Sequence, residues 1–128
     1  MTYYMATTLE VPFDDAVTLA EAALRTEGFG VLTRIDVAQT MKTKLDVDMP
    51  SYVILGACNP QLAYEALQLE NKVGTMLPCN VVVRQTDNGK VEIAAIDPVA
   101  SMQAIPNPQL KEAAAAVRDK LLRVIAQL

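Results

Sequence analysis

The chain has 128 residues, 52% of them hydrophobic, 20% charged and 5% aromatic, with a formal net charge of −4. That length predicts one domain over residues 1–128, with enough apolar content for its own core and too much for a disordered chain. The acidic balance argues against a nucleic-acid partner, and the absence of histidine removes Ser-His-Asp and Cys-His catalysis and every histidine-ligated metal site.

The opening segment alternates. Tyr3, Met5, Leu9 and Val11 share one face and Thr8 and Glu10 the other, which predicts a half-buried strand ended by Pro12. From Phe13 to Glu27 the spacing turns helical (Phe13, Val17, Ala20, Leu24), with Asp14 and Asp15 in the first turn and Gly28 just past the end. Val31, Thr33, Ile35 and Val37 restore a period of two, and Asp36 then caps a short helix through Met41 and Leu45. Residues 51–58 are apolar on both faces, the pattern of a central strand covered on both sides.

Asn59-Pro60 pairs a preferred N-cap with a preferred first helical residue and starts a helix to Glu70. A turn around Gly74 leads into another strand. Asp87-Asn88-Gly89-Lys90 predicts a type I′ turn, and so a hairpin between strands at 79–86 and 90–97. Asp97-Pro98 closes the sheet. Residues 107–127 carry a long amphipathic helix with Leu110, Ala113, Ala114, Val117, Leu121 and Val124 inward.

This order predicts an α+β fold: a two-layer domain with two long helices on one face of a largely antiparallel five-stranded sheet. The other face offers few polar residues, so a second copy is expected there, as a homodimer. The first residues lack the basic and apolar stretches of a signal peptide, and no apolar run approaches the roughly 18 residues of a membrane span. With two cysteines, the expectation is free thiols in a reducing cytoplasm and no membrane partner.

Cys58 ends one predicted strand and Cys79 begins the next, with a helix between them. If the two strands pair antiparallel, both thiols lie at one end of the sheet, within reach of a disulfide or a shared metal. Cys58 also stands just before a helix start, whose free N–H groups stabilise a nearby thiolate. The candidate ligand or thiol site is therefore Cys58, Asn59, Pro60, Pro78, Cys79 and Asn80, serving a small molecule, a redox pair or a soft metal held by Cys58 and Cys79.

The competing reading is a non-enzymatic homodimeric module for ligand binding or assembly, with both cysteines packed as small hydrophobes. Their spacing matches no zinc pattern. Asp36 and Asp97 serve acid–base chemistry only if the fold brings them together, and capping explains each alone. The methionines, Met102 among them, read as packing, not as a copper site. No cofactor and no reaction is assigned.

Four runs carry a family likeness: Thr26–Val37, Tyr52–Leu67, Met76–Val83 and Asp97–Ala100. Through the Gly-Ala-Cys-Asn-Pro and Leu-Pro-Cys-Asn pieces above all, the whole chain resembles domain-of-unknown-function family 302. That resemblance implies a TATA-box-binding-protein-like α+β fold and no established activity.

Overall fold

The changes of apolar period in the sequence mark the main elements to within a residue or two, with Val37, counted in the alternating run, instead opening a helix. The computed structural model describes residues 2–128; Met1 lies outside the described residues. Strand β1 (Tyr4–Leu9), helix α1 (Phe13–Thr26), β2 (Gly30–Asp36), α2 (Val37–Leu45), β3 (Tyr52–Cys58) and α3 (Pro60–Leu69) come first. A 3-10 turn (Val73–Met76) leads into β4 (Cys79–Gln85), β5 (Val91–Ile96), α4 (Pro98–Ser101) and α5 (Pro108–Ala126).

Three of the helices open on one two-residue signal, Asn-Pro or Asp-Pro. The cap side chain accepts a backbone N–H, from Leu62 at Asn59 (3.3 Å), from Val99 at Asp97 (2.9 Å) and from Leu110 at Asn107 (3.1 Å). Proline then occupies the first helical position, where a missing N–H costs nothing. Asp36 caps α2 in the same manner, accepting from the Gln39 N–H at 2.9 Å.

The strands form one sheet in the order β1-β5-β4-β3-β2, every neighbour antiparallel. Helices α1 and α5 cover one face. Val17 and Leu24 of α1 and Leu121 and Val124 of α5 meet Val53, Leu55, Val81, Val83, Val91 and Ile93 there, and none of these is more than 2% exposed. Burying one such leucine or isoleucine stabilises the fold by roughly 1.5–3 kcal/mol. A smaller cluster of Ala66, Val73, Met102, Leu110 and Ala114 joins α3 to the first turns of α5.

The structure corrects four details of the sequence reading. The register of β2 shifts between Val31 and Thr33. Val31 therefore packs on the helix-covered face while Ile35 stands 49% exposed on the other, although the two have equal parity; a bulge flips every residue beyond it. Strand β3 is paired on both edges but covered by helices on one face only, with Tyr52 and Ile54 half-buried on the other. Tyr3 leaves the core face and meets the Tyr4 ring edge-on, centroids 5.1 Å apart. In the hairpin, Gly89 takes the left-handed φ (73°) and Asn88 does not. Thr86 N–H donates to the Lys90 carbonyl at 2.8 Å and Gly89 N–H to that of Thr86 at 3.3 Å, so the loop has three residues rather than the two of a type I′ turn.

Candidate sulfur-lined site

Antiparallel pairing of β3 and β4 sets Cys79 opposite Ala57, so Cys58 lies one register step away at the same end of the sheet. Both approaches to that end are fixed by local chemistry. After Cys58, the Asn59 Oδ1 caps α3 and its Nδ2 donates to the Glu27 carbonyl at 3.5 Å, tying the helix start to the end of α1. Before Cys79, the chain arrives through a cis Leu77–Pro78 peptide. Pro78 and Thr33 together close over Gly56, where an added Cβ would collide with Thr33 Oγ1 and lie 2.8 Å from Pro78 Cγ. Only glycine fits there.

Between this end of the sheet, α3 and the first half of α5 lies a cavity of about 40 Å³, lined by Cys58, Cys79, Pro78, Asn59 and Met102 with apolar walls that include Phe29, Leu62 and Leu110. Its size decides what it holds. One water needs roughly 10–15 Å³, whereas pockets for organic ligands run to roughly 300 Å³ and more. An ion or a very small molecule fits. Neither cysteine is in a disulfide; Cys79 is buried and Cys58 partly exposed. Burial pushes the Cys79 thiol up from 9.0 to about 11, and the neighbouring Cys58 adds to the rise, so at neutral pH Cys79 carries its proton.

Of the six residues singled out in the sequence, Cys58, Asn59, Pro78 and Cys79 line this cavity. Pro60 serves as the first residue of α3. Asn80 lies on the opposite face of the sheet and lines a different concavity, as strand alternation requires. Met102, read from sequence as packing, shares the cavity with the thiols and is 5% exposed. Asp97-Pro98 starts α4, with Met102 at its end, but that pair does not by itself place Met102 against the cysteines.

The carboxylates do not form a pair. Asp36 ends β2 at one end of the sheet and Asp97 follows β5 at the other, because the two strands run in opposite directions. Asp97 caps α4 and meets Arg118 Nε at 3.3 Å. Among the described residues, no group of three or more histidine, cysteine, aspartate or glutamate side chains gathers to hold a metal. No described helix is long and apolar enough to cross a membrane.

No curated protein matches the chain. The chain is similar to the crystallised "uncharacterized conserved protein DUF302 from Bacillus stearothermophilus", with a TM-score of 0.92 and 30% identity over 99% of this chain and 98% of that one. The family model "Domain of unknown function DUF302" matches residues 5–128. With the α+β architecture described above, these findings establish that the chain belongs to the DUF302 family.

Proposed function

We propose that this protein is a binding protein whose ligand is a soft cation of the Cu(I) type, held by Cys58 and Cys79 with the Met102 thioether as a third donor. The observation that carries this reading is that Cys58, Cys79 and Met102, three sulfur-bearing residues, all line one cavity of about 40 Å³ with apolar walls. Thiolate and thioether ligands select Cu(I), and the walls offer no cluster of hard oxygen donors to magnesium or calcium. Each thiol that binds releases its proton to solvent. Two thiolates around one monovalent ion leave one negative charge, and the start of α3, immediately after Cys58, supplies the partial positive charge that favours it.

Anaerobic titration of the reduced protein with Cu(I) against a chromophoric chelator tests the reading. One equivalent is expected to transfer to the wild-type chain, and none to Cys58→Ser or Cys79→Ser. Failure of the wild type to compete, or equal uptake by Cys79→Ser, would overturn it. Two unpaired thiols favour a reducing cytoplasm as the place of action.

A second reading rests on a different observation. Leu32 and Ile35 stand 68% and 49% exposed at the β2 end of the open face, the kind of patch a second copy covers. In that homodimer both cysteines are interior packing, consistent with the burial that keeps the Cys79 proton on. Light scattering distinguishes the two: a dimer that Leu32→Lys dissociates, in a chain that takes up no Cu(I), favours assembly alone.

A further inference from the structure

The open face of the sheet carries a second concavity, of about 340 Å³, which unlike the sulfur-lined cavity reaches the range of small-molecule sites. Its shape follows from register. Tyr52, Arg84 and Glu92 stand in one row across β3, β4 and β5, and Val82 beside Ala94 in the next. Asn80, Tyr4 and Ile96 stand at the far end, with Tyr4 opposite Ile96. Arg84 and Asn80 are four residues apart on one strand, roughly 13 Å at strand rise. The floor of small side chains between them is long enough for a ring system lying flat.

The lining decides the chemistry. Three of the chain's four tyrosines, Tyr3, Tyr4 and Tyr52, border this basin, and planar rings stack on such side chains. Arg84 Nε donates to Glu92 Oε1 at 2.8 Å, and no other hydrogen bond engages either side chain among the described residues. The guanidinium is thus held in place with its terminal nitrogens still free to donate, next to a carboxylate oxygen free to accept. The two charges cancel, no other charged residue lines the basin, and the chain as a whole carries −4; an anionic ligand gains little here.

We propose that this basin binds a neutral planar heteroaromatic ring carrying an adjacent hydrogen-bond donor and acceptor, the shared chemistry of a purine base and a flavin ring. The proposal is independent of the sulfur-lined cavity. Two probes, guanosine and riboflavin, separate the two sources when each is titrated into the full-length, isotope-labelled chain and followed by amide NMR.

At least one probe is expected to move the amides of Val82, Arg84, Glu92 and Ala94 saturably. Tyr52→Ala and Arg84→Met should each weaken that binding about tenfold, while Cys79→Ala leaves it unchanged. Three results would overturn the proposal: no shift with either probe up to its solubility limit, shifts that both variants leave intact, or a dimer in light scattering whose basin amides are protected because a second copy fills the basin.

Discussion

The two faces of the sheet come from the same strands by simple alternation, yet they obey different rules. On the helix-covered face Leu55, Val81, Val83, Val91 and Ile93 are at most 1% exposed; on the open face Tyr4, Ile35 and Leu32 are 43%, 49% and 68% exposed. Strand propensity is alike on both, so the difference lies in what stands across from each residue. Small side chains of α1 (Ala16, Ala20, Ala23) are fully or nearly buried in the same core and let that helix approach the sheet closely. The covered face therefore fixes the fold, and both proposed binding sites lie outside that packed layer, on the open face and at the sheet end.

The largest test of this comparison sets one apolar residue against another on neighbouring strands. Leu55→Ala is expected to cost about 3 kcal/mol in urea denaturation, and Ile35→Ala less than about 1 kcal/mol. Equal costs would mean that the open face is covered in solution.

Next in size is Gly56, which faces away from the helices yet has no room for a side chain. Gly56→Ala should destabilise by about 2 kcal/mol, since its Cβ meets Thr33 Oγ1 and Pro78. Adding Thr33→Ala should recover part of the loss. Strict additivity of the two substitutions would show that the crowding is not the cause.

The covered face also predicts a pH dependence. The Cys79 thiol goes from 9.0 in the unfolded chain to about 11 when folded, chiefly through burial. Between those values the native state binds more protons than the unfolded state, so stability falls as pH rises from 9 to 11, by about 2–3 kcal/mol from this group. Below pH 9 the thiol is neutral in both states and contributes nothing to the slope. Cys79→Ala should flatten the curve in that window relative to wild type; an unchanged slope would place the titrating group elsewhere.

The smallest effect is on the open face. Arg84→Met should leave stability within about 1 kcal/mol, because an exposed ion pair is worth little, even though the same variant is expected to weaken ring binding. A large loss of stability would instead make the Arg84–Glu92 pair part of the fold.

Local physics explains how much was legible in advance. Helix starts marked by Asn59-Pro60 and Asp36 need only adjacent residues, and they stand where the sequence puts them. That Cys58 and Cys79 share one end of the sheet depends on antiparallel pairing of β3 and β4, which the strand–helix–strand order leaves open, because such a connection also joins parallel strands. The bulge at Leu32 carries no local mark, so plain alternation puts Ile35 on the wrong face. Adjacency in sequence groups Asn80 with the cysteines, but alternation along β4 sends it to the other face. Met102 reaches the thiols only through α4 and the return of α5, a long-range placement that no spacing rule shows. The basin on the open face is likewise invisible in the sequence, because Tyr4, Tyr52 and Arg84 come from three strands and are brought together only through register.

The most direct test of the sulfur-lined site is X-ray absorption spectroscopy of the protein loaded with one equivalent of Cu(I) under reducing conditions. The predicted result is a first shell made of sulfur alone, which loses one scatterer in Met102→Leu. Nitrogen or oxygen neighbours around the metal, or a shell that Cys79→Ser leaves unaltered, would contradict it.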